Sequence, residues 1–473
     1  MKKILKKGQI AVELLFLSAV VVALITGFVS LAASLLQASV RSQNKLQALA
    51  VAEAGIEYYR WHLAHAQADF EDGTGQPGPY VHNYYDKNGN LIGQFSLAIT
   101  APPPGSTIVT ITSTGTITAD ATVKKTVQVR MGIPSFAQYA WVLNSDVTFG
   151  TGAVVNGIVY SNQGVHFDGT AHNLVESALT TYTDPGNGNK NEWAVYTDGP
   201  PADPQPPTAF PTSTSAIFTA GRIVSAPAID FAGLTEDLAT IASTSQISGY
   251  YATSSGGLGY DLLLATTSFT VYKVTALNTA PGGCTNSQNQ SGWGTWSIKT
   301  ETPYASGTIP QNGDMFFSDN LWVRGSVNGA RVTIASGKFP VNPATYTNIT
   351  VNNSLTYGNF NGSDTIALIA QNNINIGLAS DNNLTVDAAL IAQNGRIGRY
   401  YYGSNCGSNY LRNSFTNLGI MATNQSSGFV YGNNDSGYLA RTYDYDANLL
   451  YAPPPSFPLT TNQYSTISWE ELQ

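Results

Sequence analysis

At 473 residues the chain is long enough for two or three compact units, yet only 11% of its residues are charged, well below the roughly 25% of ordinary soluble domains. A net charge of −8 and the lack of a basic stripe exclude a nucleic-acid partner read through phosphate contacts. The two cysteines, Cys284 and Cys406, have no CxxC spacing and so support neither a zinc nor a thioredoxin-like motif. They could close one long disulfide loop, contributing up to roughly 4–5 kcal/mol in the chain-entropy model, or stay as two unpaired thiols.

Lys2, Lys3, Lys6 and Lys7 precede an apolar run from Ile10 to Leu36. At about 1.5 Å per helical residue, that run exceeds the roughly 30 Å hydrocarbon core of a bilayer. The lysines place the N-terminus in the cytoplasm and everything after Arg41 outside. A secretory signal has an apolar core of only about 7–15 residues before its small-residue cleavage site; Ala32, Ala33 and Ser34 mark where such a cut would fall. The run therefore reads as a single-pass anchor over 10–36. It contains one carboxylate, Glu13, whose cost in a membrane calls for a functional reason.

Gly8 followed by Gln9-Ile-Ala-Val-Glu13, after a lysine-rich leader, resembles the class III signal of type IV pilins and pilin-like proteins. The resemblance implies a prepilin leader over 1–8, a dedicated peptidase cutting after Gly8, and Gln9 as the new N-terminus. It also implies that Glu13 pairs with the free amine of a neighbouring subunit, because a buried carboxylate needs a cationic partner. The first mature residue is Gln where bacterial pilins commonly have Phe, and Ala11 stands where the Q-x-S-x-E variant has Ser. Downstream, AVAEAGIEYY at Ala50–Tyr59 is similar to the end of the long helix in PilX-type minor pilins. The predicted helix spans 9–70. On it Glu53 and Glu57 share one solvated face, and His62, His65 and Asp69 read as surface residues rather than a metal site.

DGTGQPGP at Asp72–Pro79 ends the helix, and antiparallel strands are predicted over 80–132. Asp86, Asn88 and Asn90 echo the start of a calcium loop, but Leu91 and Leu97 stand where that loop needs Gly and Glu. Asn88-Gly89 fits a type I′ hairpin turn instead. Further strands are expected around Thr107–Ser113 and Thr122–Arg130.

From 133 to 458 the pattern is one of short strands broken by amide-rich turns. ALIAQN occurs at Ala367–Asn372 and again at Ala389–Asn394, 22 residues later. Gly157–Phe167 and Leu321–Ser336 follow the same grammar. A period near 20–25 residues implies a parallel β-solenoid whose turn asparagines stack into ladders; the rival is an antiparallel sandwich with chance similarity. A Pro/Thr-rich loop over about 180–220 interrupts it, Arg441–Pro458 reads as a strand and then an extended proline stretch, and 459–473 reads as a C-terminal tail. The fold class is thus α+β: a long pilin helix with a transmembrane half, antiparallel strands, and a large, mostly β domain. The C-terminal part resembles the β-helical domains of large PilX-like pilins.

No catalytic residue, metal site or cofactor is implied. Gln371 and Gln393 stand where a solenoid lyase or hydrolase would carry acids, and Asp364, Asp381 and Asp387 each sit among turn residues. Tyr400, Tyr401 and Tyr402, with Trp293 and Trp296, could stack on the rings of surface glycans; the competing reading makes them packing. Asn289, Asn348, Asn383 and Asn424 head N-x-S/T sequons of the kind such a composition yields by chance. The expected role is a minor pilin or pseudopilin, partnered by other pilin subunits, the prepilin peptidase and the cytoplasmic membrane, with its bulk extracellular. The alternative is a membrane-anchored adhesin or carbohydrate-binding protein that never enters a fibre.

Overall fold

The computed structural model describes residues 2–103, 105–231, 237–279, 281–284, 297–432 and 434–472, with side chains from Ile10 onward. Trp293, Trp296 and Asn289 lie outside the described residues. The chain divides into two units, one comprising Met1–Pro102, Ile108–Gly132 and Asn462–Gln473, the other Pro103–Thr107 and Ile133–Thr461.

In the first unit, α1 (Lys2–His65) is one unbroken helix. Its second half is amphipathic: Ala48, Val51, Ala52, Ile56, Tyr59 and Leu63 recur at helical spacing and are buried. They pack on a sheet made by β1 (Tyr80–Tyr85), β2 (Leu91–Thr100), β3 (Val109–Ile117) and β4 (Asp120–Gly132). β3 alternates between buried and half-buried residues along its whole length, the period of a strand with one face on a core. Helix and sheet approach so closely that a Cβ on Gly115 would collide with the Ala48 carbonyl oxygen, and one on Gly55 with the Ser113 hydroxyl. β1 and β2 do join in a hairpin, with the Asp86 carboxylate accepting from the backbone N–H groups of Asn88 and Asn90 at 2.8 Å, but the turn is not the type I′ expected: Gly89 has φ 84° while Asn88 is not at positive φ.

Two sequence expectations are corrected here. The helix stops at His65 rather than near 70, because the Asp69 carboxylate binds the backbone N–H groups of Glu71 and Gly73 and so favours a turn. The C-terminal segment is not a tail: Ser465–Leu472 pairs antiparallel with β4 as the fifth strand of the sheet, with Lys125 ion-paired to Glu471. The main part of the second unit, Ile133–Thr461, is therefore inserted, in chain order, between two neighbouring strands of the first.

The second unit is built on parallel sheets. The ten-stranded sheet has the spatial order Arg222–Ile223, Val175–Ser177, Ile158–Ser161, Tyr139–Leu143, Met421–Thr423, Ala389–Ala392, Thr365–Ala370, Arg331–Ser336, Asp314–Phe317, Tyr250–Ala252. The two ALIAQN copies are parallel neighbours in register, Ala367 opposite Ala389 and Ile369 opposite Ile391, as the repeat predicts. A second, larger sheet repeats this stacking, ending in the antiparallel strands Ser268–Leu277 and Ile298–Thr308, and a shared apolar core fills the space between the sheets. Turn amides form the expected ladder: Asn372 donates to Asn348 at 3.2 Å, Asn348 to Asn320 at 3.3 Å, Asn162 to Asn144 at 2.7 Å and Asn144 to Asn424 at 2.8 Å. Asn348 and Asn424 thus serve as ladder rungs.

The strand order carries a feature absent from the sequence reading. The chain enters in the middle of the ten-stranded sheet at Tyr139, winds outward to Ile223, crosses to the opposite edge at Tyr250, and winds back until Met421 lies against Trp141. The crossing includes a short helix, α2 (Asp237–Ser248). The proposed loop over 180–220 is only partly a loop: Thr181–Asp184 and Lys190–Trp193 form a hairpin, and Val195–Tyr196 pairs parallel with Val165–His166. Entering and leaving segments are tied together, since Ser135 bonds to Leu449 and Leu450 and the Arg331 guanidinium reaches the carbonyls of Gly105, Ala452 and Pro453 at 2.6–2.8 Å.

Candidate functional site

The segment from Gly8 to Glu13 lies near the start of α1. Gly8 and Gln9 lie within the helix, so the proposed cleavage point has helical backbone. From Ile10 to Val40 every large apolar side chain is exposed, an apolar surface far larger than soluble monomers carry. This stretch is long and apolar enough to cross a membrane. Glu13 is exposed within it, and among the described residues it has no hydrogen-bond or ion-pair partner. The half-helix that follows is the one packed on the head sheet, where Glu53 and Glu57 face solvent and Glu57 meets Arg60 at 3.6 Å.

Cys284 and Cys406 form a disulfide across a sequence separation of 122. It packs against Leu378 and Tyr402. Tyr402 is fully buried, so it is not a ligand contact: its ring faces the guanidinium of Arg399 at 4.9 Å. Tyr400 and Tyr401 are half-buried, Tyr400 beneath Arg396 at 4.8 Å and Tyr401 edge-on to Tyr431 at 5.9 Å. The run of tyrosines therefore packs rather than forming an open platform. Arg399 is also fully buried and, among the described residues, meets no carboxylate; it donates to the carbonyls of Gly377, Leu378 and Asn409 and to Ser380, and burial pulls its pKa down to about 10.

The remaining sequence candidates have structural roles. His62 meets Asp69 at 3.1 Å and His65 bonds to the Trp61 carbonyl at 2.8 Å. Among the described residues no group of His, Cys, Asp and Glu is arranged to hold a metal ion. The Gln371 side chain bonds both backbone groups of Lys338. The Asp364, Asp381 and Asp387 carboxylates accept from backbone N–H groups of Gly329, Ser354 and Tyr357.

Two charged clusters were not picked out from the sequence. In one, His166 lies 3.1 Å from Asp168, 3.4 Å from Asp184 and 3.7 Å from Asp198, stacked on Tyr196. Burial alone would lower the His166 pKa; the hydrogen bond and charge of Asp168, with Asp198 and Asp184, outweigh it and raise the value. In the other, Arg324 binds Asp261 through Nε at 2.9 Å and Glu301 through Nη2 at 3.3 Å. Burial, together with the Glu301 charge, pushes Asp261 up to about 6 despite the opposing pull of Arg324.

The sign of the Asp261 shift fixes a pH dependence. Its folded pKa lies above the ordinary carboxylate value, so its contribution to stability is fully present below about pH 4 and is lost as pH rises through about 6. Asp261→Asn keeps an acceptor for Arg324 and should flatten denaturant-measured stability between pH 4 and 7; a slope identical to wild type contradicts this assignment.

No protein-family model matches the chain, and no curated protein matches it. Among solved structures it aligns with the competence-associated pilin ComZ from Thermus thermophilus at a TM-score of 0.32 and 15% identity, over 91% of this chain and 98% of that one. So loose a superposition does not establish a shared fold.

Proposed function

We propose that this chain is a minor-type subunit of a type IV pilus-like fibre, cut after Gly8, held in the cytoplasmic membrane by its first half-helix, and carrying its β-rich units outside the cell. The observation that carries the reading is the helix itself. One continuous helix presents exposed apolar side chains around a single carboxylate from Ile10 to Leu36, then turns amphipathic and packs on a five-stranded sheet. A bilayer covers such a surface before assembly, and the equivalent helices of other subunits cover it afterwards. Glu13 then has a role: the free amine of Gln9 on a neighbouring subunit supplies the cation that a carboxylate in apolar surroundings needs.

The second unit is read as a parallel β-solenoid, supported by in-register parallel pairing across the repeat and by amide ladders at its turns. Asp364, Asp381 and Asp387 are accounted for by backbone contacts at its turns, which supports a structural or recognitional role. Its bulk suits a fibre tip or a sparse position better than every step of a helical fibre. The disulfide fits an oxidising compartment outside the cytoplasm.

The reading is tested at the processing site. Gly8→Val should leave the leader attached and hold the protein in the membrane fraction, while wild type loses eight residues and appears in sheared fibres. A Gly8→Val protein shortened like wild type would contradict it, and release from α1 by a cut beyond Ala32 would indicate a secretory signal instead.

A further inference from the structure

On the outer face of the larger sheet of the second unit lies a groove of about 420 Å³, within the roughly 300–1,000 Å³ range of small-molecule sites. Strand pairing builds it. Asp261 on Tyr260–Thr266 stands opposite Trp322 on Leu321–Val327, and Trp322 opposite Thr350. Their strand neighbours Tyr260, Leu262, Leu321 and Val323 belong to the core, so alternation turns Asp261, Trp322 and Arg324 outward. Ile298–Thr308 contributes Lys299 and Glu301 as one wall, and Asn352 and Asn353 approach from the next turn.

The charged groups lining this groove cancel: Asp261 and Glu301 against Lys299 and Arg324. Carboxylates accept, guanidinium and ammonium donate, and the amides do both. An anionic ligand would meet two carboxylates and a cationic one two cations. The complementary ligand is uncharged and carries groups that donate and accept at the same atom, which describes adjacent hydroxyls on a sugar ring. Trp322, only 6% exposed, lies at the floor of the groove.

The groove is also ordered beforehand. Asp261 and Glu301 fix the Arg324 guanidinium, which leaves its Nη1 without a protein partner among the described residues. Lys299 is exposed and likewise unpaired among the described residues. Asp261 itself is only 1% exposed, and among the described residues its Oδ1 accepts no hydrogen bond, an arrangement that costs on the order of 1–3 kcal/mol. A surface ion pair needs no such burial, whereas a recognition group held rigid at the floor of a groove does.

We propose that this groove binds a neutral saccharide, with Arg324, Lys299 and Asn353 as its hydrogen-bonding groups and with Asp261 and Glu301 holding Arg324 in place. The site is distinct from the Tyr400–Tyr402 cluster and independent of how the chain is anchored.

The test uses the full-length protein in a zwitterionic detergent without a sugar headgroup. It is titrated calorimetrically with neutral oligomers of glucose, mannose, galactose and N-acetylglucosamine, and in parallel with uronate, sialylated and sulfated oligomers. At least one neutral oligomer should bind with a dissociation constant of about 1 mM or tighter, with little response to added salt. Asn353→Ala and Arg324→Gln should each weaken that binding about tenfold, or roughly 1.4 kcal/mol, and Tyr401→Ala should leave it unchanged. Asn353 is exposed, so its variant decides the matter even where Arg324→Gln fails to fold. Binding of acidic oligomers alone, binding by no neutral oligomer, or neutral binding untouched by Asn353→Ala overturns the proposal.

Discussion

Glu13→Gln should abolish entry into fibres while leaving membrane insertion and leader removal intact. The substitution keeps the size and helix propensity of the side chain and removes its charge. Insertion should if anything improve, since an ionised acid at the centre of a membrane helix costs about 2.5–3.5 kcal/mol on insertion scales. Cleavage should persist because Gly8 is untouched. What disappears is the only group in the exposed apolar half of α1 able to select a neighbour's amine. Without it the helices still associate by packing, but no charge pair fixes their axial position. The measurement is the ratio of protein in sheared surface fractions to protein in membranes, which should fall by tenfold or more, as the loss of about 1.4 kcal/mol or more per subunit contact implies. A ratio equal to wild type would mean that the carboxylate does not direct assembly, and the anchored adhesin would become the better account.

Replacing Cys284 and Cys406 together by Ser should cost the second unit about 5 kcal/mol, the chain-entropy value for closing a loop across a separation of 122 residues. The loop spans the strands from Ile298–Thr308 through Ile397–Arg399, and thus much of the returning arm of the stack. The bond also lies in a small apolar cluster with Leu378 and Tyr402, beside the buried Arg399. Opening it would admit water to a guanidinium held only by carbonyls, a hydroxyl and ring faces. Denaturant unfolding of the full-length protein, with and without reductant, should show a lower midpoint on reduction, and the Ser variant should be insensitive to reductant. Equal midpoints in all samples would contradict a structural role for the bond.

Elements with a strong local pattern were legible in the sequence. The helix over the apolar run, a hairpin turn at Asn88-Gly89 and the parallel pairing of the two ALIAQN copies follow from local pattern, although the turn is not of type I′ because Asn88 does not adopt positive φ. The reversal of stacking order was not legible, because nothing in Tyr139–Leu143 specifies that its second neighbour is Met421–Thr423, far along the chain. Ser465–Leu472 has little apolar alternation and is held by backbone pairing to β4 and by Lys125, so it read as a tail. α2 is short and rich in Ser and Thr, residues with no strong helix preference, and is defined by the packing of Leu238 and Ile241. The Arg324 cluster joins residues 63 and 23 positions away, and sequence alone offers no means of bringing them together. For Tyr402 the sequence left both a ligand contact and packing open, and its ring is buried with the disulfide and Leu378.

The central claim is that α1 begins life as a prepilin helix, and the mature N-terminus tests it most directly. Intact mass and N-terminal sequencing of protein recovered from sheared surface material should give a chain starting at Gln9, with Glu13 as its fifth residue. A chain that retains Met1–Gly8, or one that begins beyond Ala32, would contradict it.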